Sequence, residues 1–323
     1  MNNSVFPLRL LPNNVRLQVI KNFDYLQLIS FSLISRKSRA LVRSFNVKIE
    51  NLTVWVPGSL CICIEPAVGG LEIEFSIYQD NTREPVREQK SLDDVPSYVS
   101  VNTAINERPV TFEWQNPQLS FSQWFQHLQS LFKCEINQID FNDEHDIYDT
   151  VALRNLLPKW RSLEIRQGSH DYTLRILDVF YPCVEHIKIA SMINLGEFPH
   201  KISIQNLDTI TIMDPVTLDD ALAYNAVNIK LVHITVTDVN RFLRSWVRGA
   251  NPRMKSSYIW VVGPPNRLLN GIIHQAEPVD LDQERDEHGP MRERITMRSK
   301  KGIQATLISD RNIFWTIEMS VGN

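Results

Sequence analysis

The sequence predicts an α/β protein, with helices at the N-terminus and then a stack of strand–helix units flanked by small antiparallel β elements. Apolar residues recur every three to four positions over residues 13–42, which is the period of amphipathic helices. Apolar and polar residues alternate within residues 46–79, as in strands with one solvated face. An apolar motif then recurs along residues 134–260, and such repeats indicate stacked supersecondary units.

The composition is that of an ordinary globular protein. Of the 323 residues, 43% are hydrophobic and 22% are charged, and this length corresponds to about two domains. No apolar run approaches the roughly 20 residues that span a bilayer. Residues 1–7 lack the basic-then-apolar pattern of a secretory leader. We therefore expect a cytoplasmic or nuclear protein without a membrane partner.

The N-terminal helices carry more apolar surface than they can bury among themselves. Pro12 suits the first turn of a helix, because its φ is fixed and its missing N–H is not needed there. Asp24 can cap a second helix, and Ser35 or Ser38 can cap a third. The apolar faces of the first two helices are Val15, Val19, Ile20 and Phe23, and Leu26, Ile29 and Leu33. A unit below about 40 residues rarely folds alone, so the later chain or a partner must cover part of it.

The apolar anchors of residues 1–45 follow a recognisable order. They are Leu11-Pro12, Val15, Val19-Ile20, Leu28, Leu33-Ile34-Ser35-Arg36 and Ala40-Leu41-Val42. This order resembles an F-box, although Asn13-Asn14 stand where the family often has Glu. In that family the motif docks on the Skp adaptor of a cullin-RING ubiquitin ligase. The resemblance implies a Skp-type adaptor, and through it a cullin, as partners. The expected adaptor contacts are Leu11, Pro12, Val15, Ile20, Leu28 and Leu33.

The charge of this region agrees with a docking role. Residues 1–50 contain eight Lys or Arg and two acids, a formal charge of +6, whereas the whole chain is −3 and the remainder therefore −9. A basic module is steered toward an acidic partner, and the resemblance implies one, since Skp adaptors are acidic. Nucleic acid is the alternative partner, but the basic residues are diluted by apolar ones and no aromatic stacking array accompanies them.

Residues 46–118 are predicted to be β-rich. Alternating runs at 47–56, 60–64 and 71–77 predict an antiparallel sheet with turns at 57–58 and 66–70, and residues 111–114 a further strand. Residues 80–97 are charged and aperiodic, which predicts a surface loop. Apolar residues at helical spacing between Phe121 and Phe132 predict a helix capped by Ser120 or Ser122.

Residues 119–262 are predicted to be a leucine-rich-repeat-like α/β stack. The motif is apolar-x-x-apolar-x-apolar, whose last three residues can form a short strand. Its copies are Ile136/Ile139/Phe141, Trp160/Leu163/Ile165, Val184/Ile187/Ile189, Leu207/Ile210/Ile212 and Ala226/Ile229/Leu231, with a looser copy ending at Tyr258 and Trp260. Helices are predicted before Pro158, before Pro182 and over 239–247, the last opened by Thr237 or Asp238 and closed by Gly249. Stacked neighbours would share one core.

The C-terminal part extends the resemblance. The run from Arg244 to Arg253 resembles a recurring element of the type-2 F-box-associated domain, which would occupy residues 46–323. Its residues also have a structural reading as a helix end, with Gly249 as cap and Trp246 in the core. Residues 264–295 are predicted to be a polar loop, and two closing strands are expected near 305–308 and 314–317.

No catalytic or cofactor motif is present, so the chain is not predicted to be an enzyme and no cofactor or metal is expected. The acidic groups Asp214, Asp219 and Asp220, and Asp140, Asp143 and Glu144, are better explained by capping than by cation binding. The predicted function is that of a substrate-recognition adaptor of an SCF-type ubiquitin ligase. The alternatives are a repeat scaffold that works outside any ligase, and a hydrolase with an unrecognised site.

Overall fold

The computed structural model of the chain describes residues 11–56, 60–66, 73–77, 91–96, 98–105, 108–142, 148–156, 159–190, 206–213, 224–262, 268–272, 274–278, 292–311 and 315–321. The predicted turns at 57–58 and 67–70, most of the predicted 80–97 loop and residues 279–291 lie outside them. The acids at 143, 144, 214, 219 and 220 also lie outside the described residues. No helix among the described ranges is long and apolar enough to cross a membrane.

The chain forms two compact units. One consists of Met1–Val54, Ser59–Val86 and Lys90–Asn137, and the other of Trp55–Gly58, Arg87–Gln89 and Gln138–Asn323. This division differs from the predicted domain boundary near residue 45. In the structure the N-terminal helices belong to the same unit as the β-rich segment that follows them.

The described residues of the first unit form four α-helices and a sheet. The helices are α1 (Asn13–Lys21), α2 (Tyr25–Leu33), α3 (Arg36–Ser44) and α4 (Phe121–Leu131). The strands are β1 (Lys48–Val56), β2 (Leu60–Pro66), β3 (Ile73–Ile77), β4 (Tyr98–Ile105), β5 (Arg108–Gln115) and the start of β6 (Lys133–Asn142), in the order β6-β1-β2-β3-β4-β5. The pairs from β2 to β5 are antiparallel, as predicted, although the sequence pattern did not predict β4.

The second unit contains a mixed sheet and three described helices. Its helices are α5 (Thr150–Arg154), α6 (His170–Phe180) and α7 (Val236–Val247). After β6 its strands are β7 (Ser162–Gln167), β8 (His186–Ile189), β9 (Thr209–Ile212), β10 (Asn228–Thr235), β11 (Ser256–Val262), β12 (His274–Pro278), β13 (Arg292–Arg298), β14 (Gln304–Arg311) and β15 (Trp315–Val321). Their order is β12-β13-β14-β15-β11-β10-β9-β8-β7-β6.

The repeat motif forms consecutive parallel strands. Strands β6 to β11 pair in chain order, and the motif positions align in register. One buried row is Ile139, Leu163, Ile187, Ile210 and Ile229, and the next is Phe141, Ile165, Ile189, Ile212 and Leu231. Each strand therefore buries its apolar face against the same core as its neighbours. The description as leucine-rich-repeat-like stays a prediction, because the connections at 191–205 and 214–223 lie outside the described residues.

The last copy of the repeat differs from the predicted one by one residue. Ser257 and Ile259 continue the buried rows, since they pair with Ile229 and Leu231 and are 4% and 1% exposed. The predicted copy at Tyr258 and Trp260 is wrong, because successive strand residues point to opposite faces. The serine at position 257 hid the copy from a search for apolar residues.

Two other sequence predictions need correction. The N-cap of helix α7 is Thr235, two or three residues before the predicted Thr237 or Asp238, and the helix begins at Val236. The Thr235 side chain accepts a hydrogen bond from the Asp238 N–H at 3.1 Å. The predicted loop 264–295 contains β12 and part of β13, which pair antiparallel. The predicted end of α7 is confirmed: Gly249 has φ +105° and its N–H donates to the Trp246 carbonyl at 2.8 Å.

Candidate functional site

Side-chain caps set the ends of the N-terminal helices. The carboxylate of Asp24 accepts from the Gln27 N–H at 2.7 Å while the Gln27 side chain accepts from the Asp24 N–H at 3.1 Å, which forms a capping box. Ser35 accepts from the Ser38 N–H at 3.1 Å and begins α3. Of the two predicted caps for α3, Ser35 is therefore the one used.

The six expected adaptor contacts fall into two groups. Pro12 is exposed as the N-cap of α1, Val15 is 37% exposed, and Leu11 and Leu33 are partly exposed. Ile20 and Leu28 are 0% and 5% exposed, so both belong to the core of the first unit. All six stay predicted contacts, and the four exposed ones are the better placed to touch a partner.

One exposed apolar residue was missed by the sequence prediction. Ile34, the C-cap of α2, is 60% exposed, the highest value among the exposed large apolar residues of the described chain. It stands in the Leu33-Ile34-Ser35-Arg36 step, so its position in the motif was the available signal. Exposed aliphatic side chains at α1 and at the end of α2 are candidate anchors for a partner.

The N-terminal helices also contact the chain that follows them through hydrogen bonds and ring packing. The Tyr25 hydroxyl donates to the Lys48 carbonyl at 3.1 Å, and its ring lies 5.8 Å from that of Phe132. Ser32 on α2 meets His127 on α4, with 2.8 Å between the hydroxyl oxygen and Nε2. The later chain therefore supplies part of the cover that these helices need.

The Ser32–His127 pair has a defined protonation pattern. The Ser32 hydroxyl donates to the Ile29 carbonyl at 2.6 Å, so it accepts from the Nε2–H of His127. Nδ1 of His127 is buried without a hydrogen-bond partner among the described residues. Burial, aided by the positive charge of Arg39, lowers the pKa of His127 to about 4. A neutral, enclosed imidazole that touches a serine already bonded to a helix carbonyl is a structural contact rather than a nucleophilic pair.

The second candidate surface is the outward side of the parallel strands, opposite the apolar rows. Asp140, Glu164 and Lys188 occupy one register row on β6, β7 and β8. Arg166 lies 2.9 Å from Asp140 and 3.1 Å from Glu164, and Lys188 lies 2.6 Å from Glu164. The two negative and two positive side chains neutralise one another, so the β6–β8 part of this surface carries no unpaired charge among these four residues.

Asp140 is a costly member of that network. Burial and the neighbouring Glu164 raise its pKa to about 6, against the opposing effect of Arg166 and Lys188. One of its oxygens, Oδ1, has no hydrogen-bond partner in the part of the chain that the structure describes. Because the folded-state pKa lies above the unfolded value of 3.8, stability from this carboxyl is present below pH 3.8 and is lost as the pH rises through 6.

We therefore expect Asp140→Asn to stabilise the protein at neutral pH. Its advantage in the free energy of unfolding should grow by about 2 kcal/mol between pH 4 and pH 8, because asparagine removes the buried charge. Urea unfolding of both proteins at the two pH values measures it. Glu50→Gln, at an exposed acid, is the matched control and should show no such growth. A constant difference between wild type and Asp140→Asn would contradict the assignment.

A third cluster has the geometry of a weak metal site. Ligand atoms of Glu185, His186 and Asp208 lie within 4.8 Å of one another. Glu185 already pairs with Lys159 and Arg161, which lower its pKa, the hydrogen bond from Lys159 having the larger effect. Because Glu185 is already paired with two cations, the cluster is better explained as a surface ion-pair network than as a cation site.

Known protein families match both the N-terminal and the C-terminal part of the chain. Residues 8–50 match the family model described as F-box domain, and residues 198–259 match the one described as F-box associated. The chain is 22% identical over 261 residues to the F-box associated domain-containing protein sdz-33 of Caenorhabditis elegans. The aligned region covers 79% of this chain and 78% of that protein. No solved structure matches the chain. The first match coincides with the three helices α1–α3, and the second spans β9, β10, α7 and the start of β11. The chain therefore carries an F-box domain at residues 8–50 and an F-box-associated domain that includes residues 198–259.

Proposed function

We propose that this protein is the substrate-recognition subunit of an SCF-type cullin-RING ubiquitin ligase, acting in the cytoplasm or nucleus. The F-box would bind a Skp-type adaptor, and through it a cullin, while the F-box-associated domain would hold a protein substrate. The observation that carries the proposal is one chain with both matched domains, whose F-box keeps Val15 and Ile34 exposed.

The proposed activity needs no chemistry from this chain. F-box proteins with associated domains are typically adaptors rather than enzymes. Tethering a substrate near the ubiquitin-charged enzyme raises its effective concentration there. The excess of basic residues in the first 50 positions favours association with an acidic adaptor surface.

The alternative function is a protein-interaction scaffold outside any ligase. It is favoured by the burial of Ile20 and Leu28 and by the Ser32–His127 contact, since these show that much of the F-box packs on its own chain. The adaptor proposal relies instead on the apolar side chains that remain exposed.

Capture of a purified Skp adaptor by the full chain distinguishes the two. The double variant Val15→Asp, Ile34→Asp should weaken capture at least about 30-fold, because losing an interface anchor costs about 2 kcal/mol or more. Both positions are exposed, so the variant should fold normally. Ile303→Asp, at an apolar residue 40% exposed in the second unit, is the matched control. No capture by the wild type, or equal capture by the double variant, would favour the scaffold.

A further inference from the structure

The outward side of β9, β10 and β11 differs from the self-paired half of the same sheet. Thr211, Lys230 and Tyr258 form one register row there, alternating with the buried residues of each strand. Asp140, Glu164, Arg166 and Lys188 neutralise one another on the neighbouring strands. Lys230 is exposed and belongs to none of the ion pairs among the described residues.

Two large apolar side chains flank this row. Met213 follows β9 and is 41% exposed, and Trp260 on β11 is 38% exposed. The Trp260 ring lies 6.5 Å from that of Tyr258. Two strand spacings separate β9 from β11, which is about 10 Å and therefore the reach of a few residues of extended chain. Tryptophan, tyrosine and methionine are the residue types enriched in protein interfaces.

The charge around Tyr258 differs between its two sides, with a lysine on β10 and a glutamate on β15. Lys230 pairs in register with Tyr258, and Tyr258 pairs with Glu318 on β15. Glu318 is exposed. A carboxylate is therefore attracted at the β10 side of the tyrosine and repelled at the β15 side. One lysine, rather than a cluster of arginines, matches a carboxylate better than a phosphate.

From these observations we infer that Met213, Lys230, Tyr258 and Trp260, the β9–β11 face, bind an extended segment of the protein substrate. In that segment an acidic residue lies beside large apolar ones. The carboxylate pairs with Lys230, and the apolar side chains pack on Trp260 and Met213. This inference deepens the proposed function and rests on it, because it names the surface and the chemistry of the substrate that the adaptor would hold.

Selection of short random peptides displayed on phage against the immobilised full chain tests the inference. The wild type should enrich peptides with Asp or Glu within two positions of Leu, Phe or Met at least tenfold over the starting library. Lys230→Glu should turn the charge preference toward Lys and Arg, and Trp260→Ser should remove the apolar preference. Ile303→Ser, at an exposed apolar residue outside the face, should enrich the wild-type motif.

The controls separate the face from the ligase assignment. All three variants lie at exposed positions, and each should capture the Skp adaptor as the wild type does. One outcome would contradict the ligase assignment and still support the β9–β11 face as a binding surface. In that outcome Lys230→Glu reverses the charge preference of the selected peptides, while neither the wild type nor any variant captures the Skp adaptor. An unchanged motif in Lys230→Glu, no enrichment by the wild type, or preferential binding of phosphoserine peptides over their Asp counterparts would overturn the inference.

Discussion

Ile259→Asp should unfold the second unit, whereas Trp260→Asp, one residue further along, should cost it far less stability. Ile259 is 1% exposed and lies between Leu231 on β10 and Ile317 on β15 in register. An aspartate there would bury an unpaired carboxylate, which we expect to cost more than about 4 kcal/mol. Trp260 points to the opposite side of the sheet and is 38% exposed.

Urea unfolding followed by far-ultraviolet circular dichroism measures the contrast, because this signal does not depend on the substituted tryptophan. A third variant, Ile259→Val, separates volume from charge and should cost about 1 kcal/mol. Similar losses in Ile259→Asp and Trp260→Asp would mean that β11 is out of register by one residue, since a one-residue slip exchanges the two faces.

The burial of His127 should make the first unit sensitive to acid. The folded-state pKa of His127 is about 4, below the ordinary histidine value of 6.5, because burial and then Arg39 disfavour the charged ring. The stability it allows is complete above pH 6.5 and is lost as the pH falls toward 4. The free energy of unfolding should drop by about 2 kcal/mol between pH 8 and pH 5 from this residue alone.

The control for this effect is His127→Gln, which keeps a side chain that can donate to Ser32 and cannot gain a charge. Urea unfolding at pH 5 and pH 8 should show a difference smaller by about 2 kcal/mol in this variant than in the wild type. Ser32→Ala should destabilise the protein by about 1 to 3 kcal/mol at pH 8, because it leaves Nε2 without its acceptor. Equal pH dependence in His127→Gln and wild type would show that another group is responsible.

The apolar repeat was readable from the sequence because each copy has the same local requirement. A strand that is buried on one face needs apolar residues two positions apart, and Ile187 and Ile189 or Ile210 and Ile212 meet it without help from elsewhere. Ser257 breaks the pattern and is nevertheless 4% exposed, because its neighbours Ile229 and Met319 set its environment. Strands β12 and β13 were missed for a similar reason, since antiparallel partners stabilise segments whose own alternation is weak.

The residues of the candidate adaptor site were also predictable from the sequence only in part. The sequence motif indicated an F-box and placed Leu11, Pro12, Val15 and Leu33 among its contacts, and these four keep some exposure. It could not show that Ile20 and Leu28 are buried or that Ile34 is the most exposed, because neighbouring positions of an amphipathic helix differ only in what packs on them.

By itself, the sequence determined the helical N-terminus, the parallel strand pattern and the family, because each depends on residues close together in the chain. The tertiary structure alone decided which apolar side chains remain available to a partner and which charges on the strand face are already paired. His127 reaches Ser32 across 95 positions, and Arg166 reaches Asp140 on the neighbouring strand. Burial and pairing are set by such distant neighbours, and no local pattern records them.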